Sequence, residues 1–328
     1  MIHTRSLTKD FVVGKTNTVH AVRGISIDIE PGELVAVLGP NGAGKSTTMR
    51  MLTTLIAPTA GSATVAGHDV VAESAQVRRL IGYVGQGNGA GHNQRVGDEL
   101  TSQGLIYGLD RRSAKRRTAE LLEALDLTEL SARKVSSLSG GQRRRLDVAM
   151  GLVHSPSLLF LDEPSTGLDP QNRSNLWEHI LQMRTNASSP MTIVLTTHYL
   201  DEADSMAGRV VVVDHGEVIA DDTAEALKAE LAGDRIRVTV DRQSETVELA
   251  RLVEQLRGAR DLVVDGSEVS ARVVNGPRAL PELLRATDRA GITVGAAQVD
   301  RPTLDDVFLT LTGRTLRESE SNTEKEAA

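Results

Sequence analysis

The segment from Gly39 to Ser46 constrains the fold of this chain more than any other stretch. Its sequence, Gly-Pro-Asn-Gly-Ala-Gly-Lys-Ser, fits the pattern G-x-x-x-x-G-K-[ST] of a phosphate-binding loop. The apolar run at 33–38 predicts a buried parallel strand before the loop, and the residues from Thr47 predict the start of a helix after it. Glycines let the backbone wrap around an anion, and the positive end of the helix dipole favours the same anion. The sequence therefore predicts an α/β protein that binds ATP or GTP, with Lys45 on the β- and γ-phosphates and Ser46 on Mg²⁺.

Two adjacent acids, Asp162 and Glu163, follow a second apolar run at 158–161. The carboxyl ends of parallel strands share one edge of a sheet, where ligands bind, so we expect both acids beside the phosphate-binding loop. Asp162 is predicted to hold Mg²⁺, and Glu163 to polarise the water that attacks the γ-phosphate. Two acids after a strand would otherwise be ordinary loop residues. The presence of the loop at Lys45 favours the hydrolytic interpretation.

Strand and helix patterns alternate along much of the chain. Short apolar runs at 80–84, 192–197 and 209–213 predict further buried strands of a parallel sheet, with helical patterns between the strands. Residues 2–7 and 19–29 instead alternate apolar and polar side chains, which predicts strands of an antiparallel sheet with one exposed face.

Between these strands lie one flexible and one helical stretch. Residues 85–91 are rich in glycine, which suits a hinge or a moving loop better than a packed element. From Val96 to about Leu130 the apolar period is helical.

The C-terminal part of the chain has a different pattern. Residues 235–299 predict the order strand, helix, strand, strand, helix, strand, which is the ferredoxin-like order of a small α+β domain. We expect this domain at 233–313, after a linker around Gly233. Residues 314–328 are polar and charged without an apolar period, so a disordered tail is expected there.

Composition excludes several classes of function. The chain has 328 residues, enough for two domains, and no cysteine, which rules out disulfides, thiolate metal sites and a cysteine nucleophile. A formal net charge of -7 argues against a nucleic-acid partner. No apolar run approaches the ~20 residues that span a bilayer, so any work at a membrane needs a partner that supplies the span.

The segment from Leu138 to Gln142, Leu-Ser-Gly-Gly-Gln, is a second glycine-bearing loop at a predicted helix start, and so a second anion site. With this segment the chain resembles the ATP-binding subunits of ABC transporters, over about residues 2–225 and in the family's motif order. The resemblance implies a cassette at 1–232 with a parallel-sheet core, an antiparallel β subdomain and a helical subdomain at about 92–145.

The resemblance also implies roles for single residues. Gln86 is similar to the glutamine that senses Mg²⁺ and contacts the membrane subunit, and Asp169 to the D-loop aspartate. His198 alone would be unremarkable, but its place after a strand downstream of Glu163 matches the switch histidine that contacts the γ-phosphate. The expected catalytic residues are Lys45, Gln86, Glu163 and His198, and the expected Mg²⁺ site residues are Ser46, Gln86 and Asp162.

Two positions depart from the family pattern. Phe11 stands where the family usually has the tyrosine that stacks on adenine, and core packing is the alternative role for it. Gly85 stands before Gln86, where proline is frequent. The ATP contacts implied by the resemblance are Phe11, Gly39, Pro40, Asn41, Gly42, Ala43, Gly44, Lys45, Ser46, Thr47, Ser139, Gly140, Gly141, Gln142 and Asp169.

The resemblance further implies a mechanism in which ATP is shared between two chains. One copy binds ATP through its phosphate-binding loop, and Ser139 and Gly141 of the other copy close over the same γ-phosphate. Because no motif is degenerate, a homodimer is the simple expectation, although a different ATPase partner stays open. The dimer would act on a separate membrane subunit at the cytoplasmic face of the cell membrane.

The block from Arg301 to Leu309 resembles the end of daunorubicin-type drug-resistance ATPases, although packing of an amphipathic helix also explains its apolar residues. This resemblance implies export of a drug-like or lipid-like substrate. The alternatives are the ATPase of an importer, or a soluble ABC ATPase that acts on ribosomes or DNA. The sequence leaves the substrate open.

Overall fold

The computed structural model describes residues 1–14, 17–185 and 190–313. The chain divides into two compact units, Met1–Asp221 and a second unit that begins at Asp222. The predicted disordered tail at 314–328 lies outside the described residues.

The first unit contains most of the secondary structure. Its elements, in chain order, are β1 (Ile2–Val13), β2 (Asn17–Ile25), β3 (Asp28–Ile29), β4 (Leu34–Leu38), α1 (Lys45–Leu52), β5 (Ala60–Val65), β6 (His68–Asp69), α2 (Ser74–Leu80), β7 (Ile81–Val84), α3 (Val96–Ile106), α4 (Arg111–Ala124), α5 (Gly140–Leu152), β8 (Leu158–Asp162), α6 (Pro170–Thr185), β9 (Thr192–Thr197), α7 (Leu200–Met206), β10 (Arg209–Asp214) and β11 (Glu217–Asp222).

The first sheet of this unit is antiparallel, and its strands come before and after the phosphate-binding loop in the sequence. Its strands follow the order β2-β1-β5-β6, and β3 also pairs with β1. The alternation in the sequence is the cause, since it buries Ile2 and Thr4 and exposes His3 and Arg5, and Leu7 further along the strand is buried as well. The predicted antiparallel sheet is confirmed, and β1 extends beyond the predicted strand to Val13.

The second sheet of this unit has the order β11-β10-β4-β9-β8-β7. Its four inner pairings, from β10 to β7, are all parallel. Strands β4, β8 and β9 are buried along their whole length, as their continuous apolar runs predict. One hydrophobic core joins the two sheets, with Ile2, Leu7 and Ile25 of the antiparallel sheet and Val37, Phe160 and Val211 of the parallel one. The predicted α/β class is confirmed.

The helices differ from the predictions at their ends. The single helical pattern at 96–130 forms two helices, α3 and α4, which pack against each other. Gly108 lies in the turn between them, and Asp110 caps α4 by accepting from the backbone N–H groups of Arg112 and Ser113. Helix α2 was not predicted, because only Val77 of its seven residues is buried and the sequence shows no period there.

The second unit is an α+β domain. Its elements are α8 (Ala224–Leu227), β12 (Asp234–Val240), α9 (Thr246–Glu254), β13 (Arg260–Asp265), β14 (Glu268–Val273), α10 (Gly276–Ala290), β15 (Val294–Asp300) and α11 (Leu304–Thr312). The predicted order of strands and helices over 235–299 is observed, and the antiparallel sheet has the order β13-β14-β12-β15. This unit has a core of its own, formed by residues such as Val238, Leu249 and Leu283.

The boundary between the units lies earlier than the position expected at 232 and 233. Helix α8 and the π-helix Lys228–Ala232 that follows it belong to the second unit, and both pack against α11. Across the described residues, none of the helices combines the length and the apolar character that a membrane span requires.

Candidate functional site

The polar residues singled out by the sequence lie at one edge of the parallel sheet. Strand β4 leads into the phosphate-binding loop, β8 ends at Asp162, and His198 follows β9. Gln86 lies just beyond β7. Because these four strands are parallel neighbours, their carboxyl ends meet at the same edge.

The phosphate-binding loop is packed closely against other strands. Gly44 has a φ of +99°, and a Cβ atom there would lie 2.4 Å from the carbonyl oxygen of Ala21 in β2. Only glycine fits such a position without a shift of the backbone. Helix α1 begins at the next residue, so its free N–H groups and positive dipole end face the loop.

Lys45, the first residue of α1, is held at this loop. Its side chain is almost fully buried, and Nζ donates to the carbonyl oxygens of Gly39 at 2.6 Å and Pro40 at 3.0 Å. A buried ammonium group is costly unless it meets negative charge or several acceptors. This position is therefore suited to the phosphate oxygens of a nucleotide.

A cluster of hydrogen-bonded side chains forms where β8 ends beside the start of α1. Ser46 Oγ donates to Asp162 Oδ1 at 2.9 Å, and Gln86 Nε2 donates to Ser46 Oγ at 3.2 Å. The three residues predicted to hold a metal therefore come together, although they are far apart in the sequence. Mg²⁺ prefers oxygen ligands and is usually bound by one or two carboxylates together with substrate phosphates. A carboxylate, a hydroxyl and an amide fit that ion.

Thr196, near the end of β9, organises this cluster and was not singled out from the sequence. Its Oγ1 donates to Asp162 Oδ1 at 2.7 Å and accepts from the backbone N–H of Glu163 at 3.0 Å. Two hydroxyl residues, Thr196 and Thr197, follow the apolar residues 193–195 and end the strand. That change in composition is the signal that could have identified the residue.

Glu163 and His198 face each other beside the cluster. Glu163 Oε2 lies 3.8 Å from His198 Nδ1, and Thr166 Oγ1 donates to the same Oε2 at 3.3 Å. Glu163 has a φ of +48°, a left-handed conformation that costs a non-glycine residue about 1–3 kcal/mol. The bonds from its N–H to the carbonyl and hydroxyl oxygens of Thr196 hold it there. Such strain is typical of active sites and fits a residue that acts on a substrate.

Three further residues form a chain of contacts that begins at the ring of His198. Its ring lies 4.2 Å from the ring of Tyr199, and the guanidinium of Arg173 lies 3.6 Å from the centre of the Tyr199 ring. Arg173 also lies 3.8 Å from Glu202, whose other carboxylate oxygen accepts from Thr197 Oγ1. Cation–π and ion-pair contacts of this kind fix the orientation of a side chain.

The segment from Ser139 to Gln142 forms the start of α5. Ser139 Oγ accepts from the backbone N–H of Gln142, and Gln142 Oε1 accepts from the N–H of Ser139, which is a capping box. Ser139 and Gly140 are exposed. A Cβ atom at Gly141 would lie 2.5 Å from Asn172 Oδ1, so the glycine permits close approach to α6.

Asp169 lies just before α6 and next to the same asparagine. It accepts from the backbone N–H of Asn172 at 2.9 Å and from its Nδ2 at 2.6 Å. These hydrogen bonds hold the pKa of Asp169 below its usual range, so the carboxylate is charged at neutral pH. Asn172 thus joins the predicted D-loop aspartate to the start of α5.

Phe11 lies on β1 opposite Val19 of β2, and 39% of its surface is exposed. Lys9 Nζ lies 5.3 Å from the centre of its ring. Core packing, the alternative role for Phe11, does not fit a side chain with this exposure. Stacking on adenine stays a prediction.

A cavity of about 640 Å³ lies at the opposite edge of the parallel sheet. It is bounded by Pro31, Pro156 and Met191, which precede or begin the parallel strands β4, β8 and β9. None of the predicted site residues lines it, so the chemistry belongs to the carboxyl edge.

A phosphate-binding loop, two acids at the end of another strand of the same parallel sheet and a capped glycine-bearing helix start are together typical of a nucleotide-hydrolysing cassette. The comparison with known proteins agrees. The sequence model of the family ABC transporter matches residues 22–166, and that of the ATP-binding protein DrrA1-3-like C-terminal domain matches residues 223–312.

Relatives match over nearly the whole chain. The daunorubicin resistance ATP-binding protein DrrA2 of Streptomyces coeruleorubidus is 41% identical over 309 residues, which cover 94% of each chain. The Nod factor export ATP-binding protein I of Rhizobium sp. (strain N33) is 37% identical over 295 residues, 89% of this chain and 92% of that one.

Among solved structures, a dimeric ATP-binding cassette in a post-hydrolysis state with ADP and Pi is similar in fold. Its TM-score is 0.62 at 24% identity, over 68% of this chain and 98% of that chain. The chain belongs to the ATP-binding proteins of the ABC transporter family, with a DrrA-like C-terminal domain. It is an ATPase.

Proposed function

We propose that this chain hydrolyses ATP to power export of a drug-like or lipid-like substrate through a separate membrane subunit. The observation that carries this proposal is the meeting of Lys45, the Ser46–Asp162 pair and the Glu163–His198 pair at one sheet edge. The names of the relatives, one a daunorubicin resistance protein and one a Nod factor export protein, support export over import.

In our proposal each residue at this edge has a part in hydrolysis that its position supports. Lys45 and the N–H groups at the start of α1 bind the β- and γ-phosphates. Ser46 and Asp162, with Gln86, would hold Mg²⁺, which neutralises charge on the phosphates. Glu163 orients the attacking water and accepts its proton. His198 contacts the γ-phosphate.

A second copy of the chain completes this site in our proposal. The exposed start of α5 offers backbone N–H groups and the Ser139 hydroxyl to the γ-phosphate bound by the partner copy. Asp169 lies beside it through Asn172. Since each copy carries Glu163 and His198, a homodimer has two competent sites. The solved cassette that resembles this chain in fold was itself found as a dimer.

The membrane subunit is expected to dock beside the Gln86 loop. A groove of about 260 Å³ lies there, lined by residues that include Gly87, Gln103, Tyr107 and Met150. Ile106, at the end of α3, is 77% exposed, and its neighbours Leu105 and Tyr107 are also partly exposed. Exposed apolar clusters of this kind mark interaction sites. Docking here would place the ATPase at the cytoplasmic face of the cell membrane.

Co-purification from the native host tests this proposal. The full chain would be tagged, membranes solubilised gently, and bound proteins identified. We expect a partner with several apolar spans of about 20 residues each. Ile106→Asp should lose this partner, whereas Val247→Asp, an equally drastic change at an exposed position of α9, should keep it. Recovery of ribosomal or DNA-bound proteins alone would contradict the proposal.

A further inference from the structure

Arg144, on α5, contacts two segments that each carry a predicted catalytic residue. It is 8% exposed. Its Nη1 donates to the carbonyl oxygen of Gly85 at 2.7 Å, directly before Gln86. Its Nε donates to Pro164 O at 2.6 Å, and Nη2 donates to the carbonyl oxygens of Asp162 and Glu163, each at 3.3 Å. One guanidinium therefore spans the start of the glutamine loop and the end of β8.

Asp147, three residues further along α5, holds the other end of the same loop. The residue is 5% exposed, and its Oδ1 accepts from the backbone N–H groups of Gly89 at 3.0 Å and Ala90 at 3.3 Å. Positions three apart on a helix share one face, so the two side chains act on neighbouring surfaces. The glycine-rich loop at 85–91 is therefore held to α5 near both ends.

The same helix begins with the segment that is expected to meet the ATP of the partner copy. Arg144 lies five residues after Ser139, or about 7.5 Å along a helix axis that rises 1.5 Å per residue. A helix over this distance moves as one body. A displacement of Ser139 would thus be passed to Gln86 and Glu163 through Arg144 and Asp147.

We propose that Arg144 and Asp147 are positioning residues that couple the start of α5, at one ATP site, to Gln86 and Glu163 at the other. This inference rests on the proposed function, since it requires the ATP-bound dimer. Arg144 does not touch the reacting atoms. It fixes the backbone from which Glu163 and Gln86 project.

The chemistry of arginine suits the position of Arg144. Its planar fork offers five N–H donors in fixed directions, which suits four carbonyl oxygens on two separate segments. Burial lowers the pKa of Arg144, and the carboxylates of Asp147 and Asp162 oppose that shift. Lysine would keep the charge, but its three donors share one nitrogen and would not reach the carbonyl oxygens of both segments.

The test compares Arg144→Lys with Arg145→Lys in the full chain. Arg145 is the matched control because it lies on the next position of α5 and bonds to Leu125 O and Asp126 instead. For Arg144→Lys we expect kcat for ATP to fall about 100-fold, as for a catalytic group misplaced by about 1 Å, while KM changes little. The Hill coefficient for ATP should fall from above 1 to about 1. Arg145→Lys should change none of these.

A second pair of variants separates positioning from a general loss of structure. Asp147→Ala removes the acceptor for the loop amides and should lower kcat and the Hill coefficient, whereas Asp147→Asn keeps an oxygen acceptor and should be milder. In a Glu163→Gln background, Arg144→Lys should still dimerise with ATP, because Ser139 and Lys45 are untouched. If Arg144→Lys does not fold, the Asp147 pair decides.

Three results would overturn this inference. They are an unchanged kcat in Arg144→Lys and Asp147→Ala, equal losses in Arg144→Lys and Arg145→Lys, and a wild type whose Hill coefficient is already about 1. Failure of the proposed function looks different. In that case the wild type would show no ATP-driven dimer and would retain no membrane partner, whatever the Arg144 variants do.

Discussion

A cluster of buried polar side chains in the first unit serves a different purpose from a buried ion pair in the second. In the first unit, Asp162 and Thr196 are fully buried at one sheet edge, and Asp162 accepts hydrogen bonds from both Thr196 and Ser46. In the second unit, the buried Arg272 is neutralised by Asp306 at 3.0 Å, within its own domain. Buried polar groups of the first kind converge on a place where a ligand can bind, while those of the second kind tie elements of the fold together.

Sheet topology explains this difference. Parallel strands bring all their carboxyl ends to one edge, so polar residues that end separate strands meet there. The antiparallel sheet of the second unit alternates its strand directions, so the same kind of residue would be divided between two edges. We infer that hydrolysis belongs to the first unit alone.

The largest effect is expected from Glu163→Gln. Loss of the general base should lower kcat about 10³-fold, within the range typical of such groups. ATP binding should remain, because Lys45 and the phosphate-binding loop are intact. Phosphate release measures the rate, and light scattering in Mg²⁺-ATP should show a stable dimer.

The matched control is Glu217→Gln, at an exposed position of β11, which should behave as the wild type. If Glu163→Gln stays monomeric in Mg²⁺-ATP while the wild type hydrolyses normally, the shared-ATP dimer is wrong.

Phe308→Ala should lower the stability of the second unit and leave that of the first unit unchanged. Phe308 of α11 is almost fully buried, and truncation of such a residue costs about 3–5 kcal/mol. Because each unit has its own core, we expect the second unit to unfold at lower temperature while ATP hydrolysis per folded first unit is kept. Calorimetry and ATPase assays on the same sample measure both.

Leu309→Ala is the control for this change, since its side chain is 37% exposed and a surface substitution shifts stability by about 0.5 kcal/mol or less. Loss of hydrolysis in Phe308→Ala at a temperature where the first unit is folded would show that hydrolysis also depends on the folded second unit.

Much of the fold could be predicted because its strands coincide with continuous or alternating apolar runs in the sequence. Strands β4, β8 and β9 are buried throughout, and their ends in the sequence are abrupt. Helix α2 could not be predicted, because a short helix with one buried residue has no visible period. The break between α3 and α4 depends on the cap at Asp110, which interrupts a pattern that is helical on both sides.

In the site, the motif residues could be predicted and their supports could not. Lys45, Glu163 and Ser139 each lie in a short segment whose residues are read together. Arg144, in contrast, bonds to backbone carbonyls as far as 59 residues away, and an acceptor of that kind leaves no mark in the sequence. The contacts that support the motif residues can be identified only when the three-dimensional arrangement of the strands is known.

A smaller effect is expected from Ser139, which we assign both a capping and a binding role. Ser139→Ala should lower stability by about 1 kcal/mol through loss of the cap. Ser139→Asp keeps a good capping side chain but adds a negative charge where the partner's γ-phosphate is expected, so it should keep stability and lose the ATP-driven dimer. Chemical denaturation and light scattering measure the two effects. Equal dimerisation by both variants and the wild type would remove Ser139 from the proposed interface.

The smallest effect should appear in the pH dependence of stability, and it again separates the units. His154 lies in the first unit, where Nε2 donates to Ile81 O at 2.9 Å and the ring stacks on Tyr107 at 3.9 Å. Burial lowers the pKa of His154 below the usual histidine value of about 6.5. The folded state therefore binds this proton less readily than the unfolded state, and the stability of the first unit should fall as pH drops below about 6.5.

The second unit offers the internal control, because the sequence has no histidine after His215. Its unfolding should hardly change between about pH 5.5 and 7.5, a range in which unperturbed histidine is the side chain that titrates. His154→Phe keeps an aromatic ring against Tyr107 and should flatten the decline of the first unit, whereas His92→Gln, at an exposed position, should not. If His154→Phe leaves the slope unchanged, another group in the first unit carries the pH dependence. If the second unit shows the same slope, the two units do not unfold independently, and the contrast between them has to be revised.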